Sequence, residues 1–356
     1  DLMLERDGNS WRIAGHASEA RPIFRREEDR SITPLAQSDA AILASVQADH
    51  DATLAYVRAE VGRSDAPLHS YFALVADDPS VQIVSNAQTW YIGQMMVGTE
   101  HEGLPILSAA APFKAGGRGG PEYYTDVPAG PIAIKNVADL YLYPNTVRAV
   151  RVTGAEVREW LERSAGMFNQ ITPGQADQVL LNPDFPSYNF DVIDGVSYRI
   201  DLSQPARYDL FGTLINPTAR RIRDLRHAGK PVRDDAHFII ATNSYRAHGG
   251  GPFAPLAETG LIYSGTRPVR DILADHVATL GQIAAAPDPT WRFAPQPGTT
   301  VTVETGPGLR AHPADIAALN ATDLGLTDSG FLRLSLPLPD TQPTLAHPVA
   351  DAYMTP

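Results

Sequence analysis

The apolar run His237 to Ala241 leads into Thr242-Asn243-Ser244-Tyr245-Arg246-Ala247-His248-Gly249-Gly250-Gly251-Pro252-Phe253, where an aromatic ring, a cation and an imidazole precede three glycines. A strand fixes where the Tyr245 ring stands, and glycine lets backbone N–H groups approach a ligand that any Cβ would block. Tyr143 has a similar setting, in Tyr143-Pro144-Asn145-Thr146 just ahead of a predicted strand over Val147–Val152. If the two rings meet across the 102 residues that separate them, they can hold a flat heterocycle. A nucleobase held in this way gains on the order of 1–3 kcal/mol per stacking partner, with little regard to its identity. Residue types alone also fit a plainer outcome, because a tyrosine beside a strand is more often core or rim packing.

Charged groups near glycines extend the candidate set. Lys114 precedes and Arg118 lies within the loop Ala115-Gly116-Gly117-Arg118-Gly119-Gly120, and a guanidinium on a flexible backbone suits bidentate contact with a phosphate. A solvated loop is the equally simple alternative. Arg246 either contacts a ligand, packs under Tyr245 or pairs with an acid elsewhere, whereas His248 suits a substrate contact better than a metal. Asp235-Ala236-His237 has the Asp-x-His spacing of dinuclear metallophosphatases. It precedes its strand rather than following it, and no Asn-His or His-x-His pair accompanies it, so an ordinary hydrophilic turn is the reading. No P-loop and no Gly-x-Ser-x-Gly elbow is present.

These groups need a scaffold, and the chain has the means to build one. It has 356 residues, 43% of them hydrophobic, enough for a sizeable core. A net charge of −12 opposes an extended polynucleotide footprint but not a single mononucleotide. The absence of cysteine removes thiol chemistry and leaves the compartment open. No apolar run is long enough to span a membrane. The spacing of Ile42, Leu43, Val46, Leu54, Val57 and Val61 predicts a long helix over Ser38–Val61 behind a Ser/Asp cap. Further on, the pattern predicts helix over 67–76, a buried strand over Val81–Ser85, helix over Gln88–Val97, strand over Pro105–Ala110 and helix over Ala155–Phe168. Three neighbouring strands are expected at Ser197–Leu202, Arg221–Leu225 and His237–Ala241, then a helix over Val269–Leu280 and strands at Thr300–Glu304 and Phe331–Leu336. The expected fold is α+β, a mixed sheet flanked by helices.

Several long strings carry a family resemblance: His69-Ser70-Tyr71, Asp77-Asp78-Pro79-Ser80-Val81-Gln82, Leu107-Ser108-Ala109-Ala110-Ala111-Pro112-Phe113-Lys114, Ala138-Asp139-Leu140-Tyr141-Leu142-Tyr143-Pro144-Asn145-Thr146, Tyr188-Asn189-Phe190-Asp191 and the glycines 249–251. The chain resembles the C-terminal, substrate-binding domain of the bacterial 2',3'-cyclic-nucleotide 2'-phosphodiesterase/3'-nucleotidases of the 5'-nucleotidase family. The resemblance implies that Tyr143 and Tyr245 sandwich the base, that Asn145 lies at the base edge, and that Lys114, Arg118, Arg246, His248, Gly249 and Gly250 are substrate-binding candidates. Many 5'-nucleotidases carry an Asn-Gly-Gly-Gly-Ile-Arg type sequence where this chain has Ser108 to Phe113, a departure that fits the cyclic-phosphodiesterase branch.

The resemblance also implies a periplasmic two-domain hydrolase. Two divalent metal ions would sit in an N-terminal metallophosphatase domain of the same polypeptide, with no cofactor and no catalytic residue in this chain. Residues 1–26 then read as the remnant of a preceding domain and linker. Residues 27–285 read as the substrate-binding domain, with Ser38–Val61 as an interdomain helix that acts as a hinge, and 286–356 as a proline-rich extension packed on it. The expected ligand is a mononucleotide or 2',3'-cyclic nucleotide, with no polynucleotide and no membrane, and this chain alone is expected to be inactive. A stand-alone nucleoside-binding module is the alternative, and a self-sufficient metalloenzyme built on Asp235 and His237 is a third.

Overall fold

A computed structural model describes residues 1–27, 31–253, 260–285 and 288–338. The expected extension over 286–356 and the loop 254–259 therefore lie partly or wholly outside the described residues. The chain divides into two units, Asp1–Tyr56 and Val57–Pro356. The first holds an antiparallel hairpin of Leu2–Asp7 and Ser10–His16, a second ladder of Phe24–Arg26 and Ile32–Pro34, and helix α1 (Ala40–Val57). Asp39 starts α1 by accepting from the Ala41 and Ile42 amides at 2.8 and 3.1 Å. The helix is shorter than the expected Ser38–Val61 because Glu60 enters a strand, Glu60–Ser64.

The larger unit is built on a mixed five-stranded sheet: β1 (Ile106–Ala110), β2 (Thr146–Thr153), β3 (Val192–Asp194), β4 (His237–Asn243) and β5 (Leu261–Pro268), in spatial order β3-β1-β4-β2-β5. Only β1 and β4 run parallel. In β4 every residue from Phe238 to Asn243 is buried, so both faces of the sheet are covered, and the strand reads as a continuous apolar run rather than an alternation. Helix α2 (Pro79–Met96) packs on β1 and against α6 (Val269–Leu280), α3 (Ile134–Leu140) touches α6, and α4 (Gly154–Ser164) packs on β2. The expected α+β architecture is the observed one.

Three expectations fail locally. Residues 79–96 form one helix, not a strand followed by a helix. Val81, Ile83, Val84 and Ala87 are all buried, and a helix enclosed on nearly every side carries the apolar run that otherwise marks a buried strand. Asp78 caps it by accepting from the Ser80 amide at 2.9 Å, with Pro79 in the first turn where its missing N–H costs nothing. Residues 67–76 are a two-residue strand, Leu68–His69, followed by turns, because Ser70 Oγ bonds the Lys114 carbonyl and receives the Thr125 amide at 2.9 Å. Finally, Ser197–Ile200 and Ile222–His227 are neighbours in a separate sheet with Lys230–Pro231 and Trp291–Phe293, while β4 belongs to the central sheet. The chain leaves the first sheet after Val232 and turns through Arg233 to Ala236, whose carbonyl accepts from Gly154 at 2.8 Å.

A last sheet of Gln178–Val179, Thr300–Thr305, Leu332–Pro337 and Thr322–Leu326 carries the alternation of a half-covered layer, with Val301, Val303 and Thr305 buried between partly exposed neighbours. The short helix α7 (Pro313–Ala318) lies within this C-terminal part.

Candidate functional site

The register of β2 on β4 decides which residues meet. The strands are antiparallel, with Val147 opposite Asn243, so the segment entering β2 and the segment leaving β4 emerge from the same end of adjacent strands. The Thr146 amide donates to Ser244 Oγ at 3.3 Å, and the Val269 amide at the head of α6 donates to the Asn145 carbonyl at 2.9 Å. Asn243 caps the four-residue helix α5 (Ser244–Ala247) by accepting from the Arg246 amide at 2.9 Å. That cap sets Tyr245 on the first turn, facing out. Tyr143 and Tyr245 retain 38% and 45% of their exposure, high for aromatic rings at the end of a buried sheet.

Other aromatics converge on them. Burial raises the Tyr143 hydroxyl's pKa, and the neighbouring Tyr123, Tyr188 and Tyr245 hydroxyls add to the shift. Phe113 stands edge-on to Tyr143, with ring centroids 5.1 Å apart and planes at 84°, and in the same way to the buried Tyr141 at 5.0 Å. The sequence reading did not select Tyr123, Tyr188 or Phe113. Tyr123 comes three residues after the glycine-rich loop 115–120, which is the one local signal it offers. Asn145 is half-buried, its amide beside the Tyr141 hydroxyl together with that of Asn243. A small cavity lined by Asp77, Asp78, Asp194 and Trp291 includes none of these residues. The tyrosine rim is an open face.

Arg246 turns inward. It is 3% exposed and pairs with Asp191 at 2.7 Å. It also donates to the Tyr188 carbonyl at 2.8 Å and to the Gly250 carbonyl, and lies 3.9 Å from the Phe253 ring centroid. Asp191 in turn accepts from Trp160 Nε1 at 2.7 Å. One buried guanidinium therefore ties the Tyr245 loop to the turn that carries Tyr188.

The glycines serve the ring. A Cβ at Gly250 would stand 2.5 Å from the Tyr245 ring, and Gly249 and Gly251 adopt φ of +84° and +75°, a region closed to most side chains. The Gly249 and Gly250 amides donate to Arg246 and Tyr245 carbonyls at 3.0 Å each. They close the turn, where the sequence reading had glycine amides turned toward a ligand.

The remaining cations are divided. Lys114 is half-buried, paired with Asp139 and 5.6 Å from the Tyr123 ring centroid. Arg118 is exposed in the turn Gly117–Gly119 and has no ion pair or hydrogen bond among the described residues. His248 is exposed, with Nδ1 2.5 Å from the Ser244 carbonyl. Asp235 is fully solvated and held by both nitrogens of Arg233, at 2.9 and 3.0 Å. Among the described residues no further His, Asp or Glu stands close enough to make a metal-sized group with the Asp235–His237 pair, which lies in a surface turn.

A mixed sheet flanked by helices, with exposed aromatics at one end of two adjacent strands, defines an α+β domain, and comparison with known proteins gives its family. Residues 60–258 match the family model described as 5'-nucleotidase, C-terminal domain. The chain belongs to the 5'-nucleotidase family. It is 46% identical over 314 residues to the trifunctional nucleotide phosphoesterase protein YfkN of Bacillus subtilis, covering 88% of this chain and 21% of that protein. It is 44% identical over 322 residues to the 2',3'-cyclic-nucleotide 2'-phosphodiesterase/3'-nucleotidase of Salmonella typhimurium, covering 87% of this chain and 49% of that protein. The chain thus spans half or less of the length of these relatives. Its fold is similar to a crystal structure of a putative 5'-nucleotidase from Staphylococcus aureus, with a TM-score of 0.55 at 18% identity over 76% of this chain and 49% of that one.

Proposed function

We propose that this chain is the base- and sugar-recognition domain of a periplasmic, metal-dependent phosphohydrolase acting on 2',3'-cyclic nucleotides and 3'-nucleotides. The observation that carries the reading is the convergence of Tyr143 and Tyr245, with Tyr123 and Tyr188 beside them, at the shared end of two adjacent strands. Tyr143 and Tyr245 stack on the two faces of the base, and Asn145 meets its edge. Arg118 reaches the phosphate, and Lys114, braced by Asp139, supports the rim through Tyr123. Arg246 acts as a positioning residue that holds the Tyr245 loop. The two metal ions belong to another domain of the same polypeptide, where ions of this kind supply Lewis acidity and activate a nucleophile. The residues of this chain bind and orient substrate for that chemistry.

Calorimetric titration with 3'-AMP and adenosine, alongside a phosphate-release assay with added Mn²⁺, tests this. Tyr143→Ala and Tyr245→Ala should each weaken binding by about 5- to 150-fold, the loss of one stacking partner, and the chain should release no phosphate. Binding unaffected by either substitution would remove the base site from this face. Turnover by this chain alone would move the chemistry into it.

A further inference from the structure

A second group of side chains, unused by the site above, lies where Leu68–His69 pairs with Asp126–Val127. That ladder sets His69 directly opposite Asp126. The turn Pro307–Ala311 and the start of α7 deliver His312 and Asp315, three positions apart and so on one side of the helix start. His69 is 5% exposed, and its Nε2 stands 2.8 Å from Asp315 Oδ2 across 246 residues of chain. The His69 and His312 rings lie 4.3 Å apart. One donor atom from each of His69, His312 and Asp315 falls within 4.8 Å of the others.

We propose that His69, His312 and Asp315 form a site for one Zn²⁺ ion that fastens the C-terminal segment to the part of the fold bearing the tyrosine rim. Two imidazole nitrogens and a carboxylate oxygen are a zinc donor set, and three protein ligands leave one position for water. Tetrahedral Zn²⁺ holds its donors about 3.3 Å apart. The ion takes the place of the proton now shared by His69 and Asp315, with movements of an ångström or so at His312.

The surroundings match. Asp126 Oδ1 is 3.3 Å from His312 Nε2, which leaves Nδ1 of that ring for the metal and supplies the carboxylate that orients a ligating histidine. Tyr71 holds the other oxygen of Asp126 at 3.0 Å. The carboxylates of Asp315 and Asp126 each lie against one of the two imidazoles, at 2.8 and 3.3 Å, so negative charge gathers where the two rings meet. A cation is thus favoured over a second proton-bearing group. The consequence reaches the rim, because Asp126 stands three residues after Tyr123, and Tyr71 stacks against Tyr124 at 5.1 Å.

The chain is stripped with EDTA, desalted and titrated with Zn²⁺, following bound metal by mass spectrometry, thermal unfolding, and visible absorption with Co²⁺ in place of Zn²⁺. The expected result is one equivalent bound and a Tm raised by about 3–8 °C at a hundredfold excess over Kd, with Co²⁺ giving the absorption of a four-coordinate site. His312→Ala should lose at least about 100-fold in affinity, more than loss of an outer partner costs, while melting within about 2 °C of the parent chain in EDTA. Asp315→Asn retains the size of the side chain and serves as the second variant. Failure to bind one equivalent, or binding and zinc-dependent Tm unchanged in both variants, overturns the proposal. Both outcomes are independent of nucleotide binding at the tyrosine rim.

Discussion

Tyr245 and Arg246 are adjacent in sequence and belong to two different regions of the molecule. Tyr245 joins an open aromatic rim, while Arg246 joins a buried ionic and polar group with Asp191 and Trp160, and the fold buries a second such group at Glu162 and Arg221. Glu162 accepts from the Arg221 and Ile222 amides at 3.0 Å each, and its pKa is raised chiefly by burial. Burial likewise lowers Arg221 to about 10, although its guanidinium donates to the Ala165 and Phe168 carbonyls at 2.7 Å. Charges taken out of water persist only when their hydrogen bonds are met. Exposed rings meet no such demand from the fold. The fold therefore leaves the rim open to solvent, and the Arg246–Asp191 pair beneath it fixes the loop that carries Tyr245.

The largest expected effect breaks the lower layer. Arg246→Ala leaves Asp191 buried without its cation and releases the Gly250 and Tyr188 carbonyls, at a cost of about 3–5 kcal/mol in stability. Urea unfolding should show a loss of that size once the midpoint shift is multiplied by the denaturant slope, and near-wild-type stability would mean that the pair is not what braces the rim. Gly250→Ala makes the converse test. Its Cβ meets the Tyr245 ring at 2.5 Å, so the ring must tilt while the ionic layer stays intact. Nucleotide affinity should fall by about tenfold and stability by no more than about 1 kcal/mol. Equal losses in both would show that rim and support are one unit.

The sequence makes the rim easier to read than its support. Tyr143 and Tyr245 each border a strong apolar strand, and β2 and β4 are neighbours, so a local pattern coincides with the tertiary one. The inward turn of Arg246 depends on Asp191, 55 residues away and on no shared periodicity. Helix α2 reads as a strand and a helix because burial on nearly all sides erases the helical period that an amphipathic helix would show. His69, His312 and Asp315 do not stand out in the sequence for a related reason. The local spacing His-x-x-Asp is commonplace, and only the contact of His69 with Asp315 across 246 residues of chain shows that a third donor stands beside it.

The smallest predicted effect concerns a buried carboxyl remote from the rim. Asp77 accepts from the Trp291 amide at 3.1 Å. Burial is the chief reason its pKa stands well above the usual carboxylate range, with Asp194 and Asp288 adding to the shift. The folded protein therefore binds the Asp77 proton more tightly than the unfolded chain, where the group ionises near about 3.9. Above the folded pKa both states are ionised and the cost of the buried charge is fully present. As pH falls through that pKa the folded form takes up the proton and stability recovers, until the unfolded chain is protonated as well. Asp77→Asn keeps an oxygen for the Trp291 amide and carries no charge at any pH. Relative to wild type, the variant should thus be more stable at pH 8 than at pH 5, as read from urea midpoints at both. Asp194 is raised by burial too and remains in the variant, so the pH dependence should shrink without vanishing. A stability difference identical at the two pH values would mean that Asp77 is ionised in the folded protein across this range, as it is in the unfolded chain, and that burial costs this carboxyl less than its surroundings imply.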